Sequence, residues 1–301
     1  SSYGVECVRR TFSSSPENSF EEWVVSQFGR KLYEIYFRPY SEKVWGVSCS
    51  RLNANFAVHR IKPLSFREAI KNTLWRIVNP QVKLASQFPH PRLGFGRIPE
   101  RLAEELSPDS VKLQCSVTRV EHDGRRVIGL TYLNGGELSH CKPAHVISTI
   151  PISSLVRSLS PAPSADVLDA AAGLKYRDIV FVFLALDHEQ VTPYNWIYFS
   201  SDDVFFGRIH EPKNFSPAMS PPGTTSLVVE IYCYESDPIW TEPAELLINR
   251  VSRRIAELGL IEEEQVTGGC VVHLRKAYPI YVDDYEQRLA TLLGFLRPMK
   301  T

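Results

Sequence analysis

Between Phe20 and Phe37 the apolar residues Phe20, Trp23, Val24, Phe28, Leu32 and Ile35 recur at helical spacing behind a Ser19-x-x-Glu22 capping box, which predicts a helix. Arg38-Pro39-Tyr40 reads as its stop, because proline disfavours helical geometry in the residue before it. A second capping box, Ser65-x-x-Glu68, opens a predicted helix carrying Phe66, Ile70, Leu74 and Ile77 and ending at Asn79-Pro80. From Val111 the period falls to two. Val111 to Val120, Arg125 to Leu133 and Ala144 to Ile150 read as strands, the first two joined by Asp123-Gly124 and the next turn formed by Asn134-Gly135-Gly136.

Ser158 to Ala172, rich in Ser, Pro and Ala, reads as a connection with a short helix. Four strand candidates follow: Ile179 to Leu186, Trp196 to Phe199, Phe205 to His210 and Leu227 to Tyr234, spaced as in one mainly antiparallel sheet. Pro243 to Leu258 reads as a helix with Leu246, Leu247, Val251, Ile255 and Leu258 on one face and Gly259 as its stop, and Val271 to Leu274 as one more strand. Helices first, then a meander, then a sheet with one helix give an α+β fold rather than a run of βαβ units. The expected divisions are 1–106, mainly helical, 107–151, the meander, and 152–301, the sheet and its helix.

The chain has 301 residues, 44% of them hydrophobic, enough to bury a core and to exclude disorder as the main state. Its 34 basic and 34 acidic side chains cancel, so charge gives no case for nucleic acid or an acidic membrane surface. Apolar runs stay strand-sized, the longest being Ile179 to Leu186, so no membrane span is expected. Cys7, Cys49, Cys115, Cys141, Cys233 and Cys270 are scattered without metal spacing, which fits reduced thiols, no metal site and a cytoplasmic protein. A phosphate loop, a His-Glu-x-x-His helix, a Gly-x-Ser-x-Gly elbow and the Gly-x-Gly-x-x-Gly dinucleotide fingerprint are all absent.

Some polar residues stand out. Arg208 sits inside the apolar run Phe205-Phe206-Gly207-Arg208-Ile209-His210, where a guanidinium must reach solvent or pair with an anion. Arg38 and Lys43 flank Tyr40 and Trp45, as a basic rim or as ligands. Tyr194, Trp196, Tyr198, Tyr278 and Tyr281 serve as core, rim or site aromatics, and Glu230 and Glu235 read as a solvated face.

Taken together, Phe20-Glu21-Glu22-Trp23-Val24 and Phe37-Arg38-Pro39-Tyr40-Ser41-Glu42-Lys43-Val44-Trp45-Gly46 resemble the signature of UDP-galactopyranose mutases and the flavoproteins grouped with amine oxidases and protoporphyrinogen oxidase. Phe88-Pro89 with Gly94-Phe95-Gly96-Arg97-Ile98-Pro99 is similar to the family's turn beside the flavin, although Phe95 stands where many relatives carry a further glycine. Val117 to Val120, the Asp123-Gly124 turn and Ala144-His145-Val146-Ile147-Ser148-Thr149-Ile150-Pro151 resemble the meander and last strand of its FAD domain. Trp196-Ile197-Tyr198-Phe199, Arg208, Asn214-Phe215-Ser216-Pro217 and Ala277-Tyr278-Pro279 resemble its substrate sheet.

The resemblance covers most of Phe20 to Leu296 and lacks the family's N-terminal fingerprint and C-terminal return segment, so the chain looks like the middle of such a flavoprotein, an α/β flavoprotein fragment with a nearly whole substrate domain and part of a split FAD domain. It implies FAD, held in part by Gly94, Gly96, Val117, Thr149 and Pro151, and a nucleotide sugar such as UDP-galactose, bound by Arg208, Tyr198, Tyr278, Arg38 and Trp196. The implied reaction is isomerisation between pyranose and furanose forms with the N5 atom of reduced flavin as nucleophile. Two alternatives remain open: an oxidase or desaturase of the amine-oxidase type, and a non-catalytic fragment that binds UDP-sugar. Assembly into a homo-oligomer is also left open.

Overall fold

The computed structural model describes residues 19–54, 89–282 and 284–299. The predicted helix behind Ser65-x-x-Glu68, with Phe88 and Cys7, lies outside the described residues. In chain order the elements are α1 (Phe20–Phe28), α2 (Arg38–Trp45), α3 (Arg97–Glu104), β1 (Cys115–His122), β2 (Val127–Asn134), β3 (Glu137–Cys141), α4 (Ile152–Ser158), β4 (Leu159–Ser160), α5 (Ala165–Gly173), β5 (Lys175–Leu186), β6 (Trp196–Tyr198), β7 (Arg208–His210), β8 (Thr225–Cys233), α6 (Ala244–Glu257), β9 (Val266–Ile280) and α7 (Tyr285–Leu296). The fold is α+β, as the residue pattern predicts.

Two compact units divide the chain. One takes the residues up to Pro99 and Arg177–Tyr278, the other Glu100–Tyr176 and the residues from Pro279 on. The boundaries between the units fall within α3, β5 and β9.

In the first unit α1 starts where expected: the Ser19 side chain accepts the Glu22 N–H at 3.2 Å. It ends at Gly29, whose φ of 85° breaks the helix. The expected stop at Arg38-Pro39 is a correction. One helical turn, Arg30–Leu32, leads into a π-helical turn, Tyr33–Phe37, and α2 then runs on to Trp45. Pro39 follows directly on the π-helical turn, whose extra residue makes room in the helical path for a residue without an N–H.

The sheet of this unit has the order β6-β7-β8-β5-β9. The four candidates from Ile179 to Tyr234 are strands of this sheet, and the pairings of β6 with β7, β7 with β8 and β8 with β5 are antiparallel. Val180, Val182, Leu184, Ile209, Leu227, Val229 and Ile231 share one face and form a core with Leu247, Val251 and Ile255 of α6. The strand expected over Val271 to Leu274 is part of the fifteen-residue β9, whose Thr267-Gly268-Gly269 start lacks an apolar alternation.

In the second unit β3-β2-β1-β4 form a sheet. Asp123 Oδ1 accepts the N–H groups of Arg125 and Arg126 at 2.8 and 2.9 Å, closing the first hairpin. The second closes over Gly135-Gly136, with φ of 59° and 96°, between the paired Asn134 and Glu137. The strand predicted over Ala144 to Ile150 is not formed. That segment is irregular, and Ile147 is 91% exposed. An alternating pattern becomes a strand only against a partner, and none of the described strands pairs with it. Val156, Val167, Ala170, Ala171, Leu174 and Leu292 form a separate core beneath α4, α5 and α7. Among the described residues no helix is long and apolar enough to cross a membrane, and the cysteines are free thiols.

Candidate functional site

The face of the first unit's sheet opposite α6 carries polar and aromatic side chains in register. Tyr198 of β6 pairs with Arg208 of β7, Arg208 with Glu230 of β8, and Glu230 with Phe181 of β5. One step along, Trp196 pairs with His210. Alternation along a strand puts these residues on the face that the apolar set leaves free.

Glu230 anchors this row and is 2% exposed. Its Oε1 accepts from Arg208 Nη2 at 2.7 Å and its Oε2 from the Tyr232 hydroxyl at 3.0 Å. His210 Nδ1 lies 3.6 Å from Oε1. Burial alone raises the Glu230 pKa, but His210, Arg208 and Tyr232 outweigh it and hold the carboxyl below its ordinary value. Desolvation works against the Arg208 charge in the same way, and the bond to Glu230 overcomes it, so its pKa is raised.

Tyrosines surround the pair. The Arg208 guanidinium lies 5.8 Å from the ring centre of Tyr198, which meets Tyr40 of α2 edge to face at 5.4 Å. Tyr40 and Tyr232 interact through their hydroxyls, and burial is the main reason that Tyr40 is pushed up to about 12. Trp45 and Tyr232 flank Tyr278 with ring centres at 5.6 and 6.5 Å. Gly207 makes room for this arrangement: a Cβ there would stand 2.5 Å from Cε2 of Tyr232.

Neighbouring buried polar groups hold the frame. Glu211, fully buried, accepts from the N–H groups of Val191 and Thr192 at 3.0 and 2.9 Å and from the Thr225 hydroxyl at 2.6 Å. Asn214 Nδ2 donates to the Thr192 and Tyr194 carbonyls at 2.7 and 2.9 Å, so the segment leading into β6 is tied down. Asp178 accepts the Glu235 and Lys276 N–H groups at 2.9 and 2.7 Å, fixing the backbone two residues before Tyr278. Arg177 donates to Val44 O at 3.2 Å and Tyr232 O at 3.0 Å, a cation at the C-terminal end of α2.

The structure thus brings Arg208, Tyr198 and Tyr278 into one cluster with Tyr40, Tyr232, Trp45 and Glu230. Trp196, 40% exposed, lies beside them on β6 and meets Phe215 edge to face at 5.0 Å. Arg38 is exposed and lines a cavity of about 640 Å³ with Glu42, Lys43, Asp202 and Tyr232 of the cluster, while Arg208, Tyr198, Trp196 and Tyr278 are not among its lining. Lys43 is committed to the carbonyls of Phe199, Ser201 and Val204 at 3.0, 2.5 and 2.7 Å. Glu230 is the residue that sequence reasoning misplaced. It is buried and paired with Arg208, while Glu235 faces solvent and pairs with Arg275 at 2.7 Å. Two opposite charges inside neighbouring apolar strands were the available signal.

The residues expected at a flavin divide between the units. Gly94 and Gly96 precede α3 in the first; Val117, Thr149 and Pro151 belong to the second, Val117 half-exposed on β1, Thr149 exposed, and Pro151 capping α4. A dinucleotide's diphosphate needs free backbone N–H groups at a helix start. At α3 the Arg97 and Ile98 N–H groups are bonded to the Gly94 and Phe95 carbonyls at 3.1 and 3.0 Å, and Pro99 has none. These residues do not by themselves fit the diphosphate of FAD.

The family model described as "Flavin containing amine oxidoreductase" matches residues 5–297. A solved structure of reduced UDP-galactopyranose mutase is similar over 98% of this chain and 64% of its own, at 21% identity and a TM-score of 0.74. A protein from Exiguobacterium sp. 255-15 assigned as a protoporphyrinogen oxidase matches over 98% and 65%, at 16% identity and a TM-score of 0.67. A putrescine oxidase with redesigned cofactor binding matches over 91% and 58%, at 15% identity and a TM-score of 0.57. The chain therefore spans just under two thirds of the length of the mutase and of the Exiguobacterium protein.

Proposed function

We propose, for a chain that belongs to the family of flavin-containing amine oxidoreductases, a mutase-like role in which the tyrosine-lined face binds the anionic part of a nucleotide sugar of the UDP-galactose type. FAD is the cofactor that membership of this family implies, and when bound it supplies the redox or nucleophilic chemistry. The described residues do not complete a site for its diphosphate, so the reading concerns the substrate side alone.

One observation carries it: Arg208 is fixed by Glu230 through a single corner, while its Nε is buried without a hydrogen-bond partner. A half-buried guanidinium with a spare donor, beside the Tyr198 ring, suits phosphate oxygens, which accept from a planar fork. Trp196, partly exposed beside it, offers a wall for a planar or apolar portion of the ligand. Calorimetric titration with UDP and UDP-galactose tests this. Micromolar binding that the Arg208→Met variant weakens supports it; no binding to the wild-type protein sinks it.

A second reading, an oxidase or desaturase, has its own observation. Glu230 matches the Arg208 charge one for one, and among the described residues no second arginine stands beside Arg208 on the aromatic face. Failure to bind UDP, together with bleaching of bound flavin by an amine or another reduced substrate without air, would favour it. A visible spectrum taken after FAD addition and desalting shows whether this stretch of chain retains flavin at all. A colourless protein would favour a non-catalytic fragment.

A further inference from the structure

We infer that Glu230 is a positioning residue that acts through Arg208, strengthening anion binding by aiming the guanidinium even though its own negative charge opposes the anion. The inference rests on the reading of Arg208 as the anchor of an anion.

The geometry behind it is a carboxylate held at both oxygens. Oε1 takes Arg208 Nη2 at 2.7 Å, and Oε2 takes the Tyr232 hydroxyl at 3.0 Å. Tyr232 cannot swing away easily, since its ring lies against the backbone at Gly207, the residue before Arg208, and near Tyr278. Tyr40 of α2 packs edge to face on Tyr198 at the other end of the row. Glu230 is thus a fixed post, set in register opposite Arg208 on the adjacent strand. A guanidinium bonded to such a post at one corner keeps its plane, and the Nε that lacks a partner keeps its direction. His210, the other titratable group near Oε1, stands 3.6 Å away, within ion-pair range but farther than Arg208, which keeps the shorter contact at that oxygen.

Two physical effects of Glu230 on an anion at Arg208 have opposite signs, which makes the inference decidable. As a bare charge, the carboxylate weakens the anion, so removing it tightens binding. As a post, it holds Arg208 in the orientation the anion uses, so removing it loosens binding. Glu230→Gln keeps the size of the side chain and a carbonyl acceptor but turns one end into a donor that cannot take Arg208. On the positioning account this variant binds UDP at least about tenfold more weakly, the lower range for a charged hydrogen bond. Equal or tighter binding overturns the inference.

The full 301-residue chain is titrated with UDP as wild type, Glu230→Gln, Arg208→Met and the double variant. If Glu230 acts through Arg208, its substitution changes nothing further once Arg208 is methionine; a full additional loss in the double variant overturns the inference. Should wild type bind no UDP, or Arg208→Met bind as wild type does, the anion reading is the one that fails. Rotation of the labelled Arg208 guanidinium about Nε–Cζ, followed by NMR without ligand, then decides the positioning claim. Slow exchange in wild type that quickens in Glu230→Gln supports it, and fast exchange in both overturns it. If Glu230→Gln does not fold, Tyr232→Phe removes only the hydroxyl from Oε2 and is expected to weaken UDP binding about threefold, within the range for a neutral hydrogen bond. An unchanged or tighter value there overturns it equally.

Discussion

Replacing Gly207 by alanine drives a methyl group into the Tyr232 ring. The added Cβ would stand 2.5 Å from Cε2 and 2.8 Å from Cδ2, where carbon atoms normally rest about 3.5–4.0 Å apart. Neither side yields readily: Gly207 N–H is bonded to Glu230 O at 2.9 Å, and the Tyr232 hydroxyl is tied to the Glu230 carboxylate. Overpacking of this kind costs about 1–3 kcal/mol, and each kcal/mol lowers Tm by roughly 2–4 °C in domains of about 150–250 residues. Thermal and urea unfolding of Gly207→Ala, alone and combined with Tyr232→Ala, measure it. The clash account requires the alanine to cost little once the ring is gone, a coupling of about 1 kcal/mol or more. A Gly207→Ala protein within about 0.5 kcal/mol of wild type, or one that loses as much in the Tyr232→Ala background, refutes the reasoning.

Leu247→Ala empties a fully buried position where α6 meets the sheet, and urea unfolding should register a loss of about 2–5 kcal/mol; under 1 kcal/mol would mean that α6 does not cover this core. Glu211→Ala leaves the Val191 and Thr192 N–H groups and the Thr225 hydroxyl without their acceptor, at about 1–3 kcal/mol for each buried group left unpaired. Hydrogen exchange at Val191 and Thr192 should accelerate, and unchanged protection counts against Glu211 as the tie of that segment. Because the folded Glu230 pKa lies below the ordinary 4.5, its contribution to stability is complete above that value and is lost as pH falls through the lower folded pKa. Acid unfolding of Glu230→Gln should therefore show a flatter dependence below about pH 4.5 than wild type; parallel curves would contradict the sign.

The sheet was legible because its inner face alternates so regularly: Val180, Val182 and Leu184 on β5 and Leu227, Val229 and Ile231 on β8 leave few other registers. The hairpin turns were legible for a similar local reason, glycines at positions of positive φ. Ala144 to Ile150 misled because alternation describes a willingness to pair and says nothing about whether a partner is present. At the site, Arg208 stood out by being charged in an apolar run, but Glu230 was read as solvated because its burial depends on β7, twenty-two residues away in sequence. Tyr40, Tyr232 and Gly207 could not be chosen from their own neighbourhoods at all. Their roles arise where α2 meets β7 and β8, a meeting set by tertiary packing. Arg38, next to Tyr40 but one in the chain, was grouped with Arg208 by resemblance; it lines a cavity shared with Tyr232.

The π-helical turn Tyr33–Phe37 fixes the phase of the helix that follows it. Such a turn holds one residue more than an α-helical path would need, and each residue added to a helix rotates everything beyond it by about 100°. Tyr40 reaches Tyr232, and Trp45 reaches Tyr278, only at the present setting of that dial. Lineages that lose a single codon in this stretch would keep the helix, its apolar stripe and nearly its length, yet turn the tyrosine away from the sheet. A gap of one position just upstream of the Arg38-Pro39-Tyr40 segment, easily dismissed as noise when related chains are aligned, would then mark a change in what the pocket can hold.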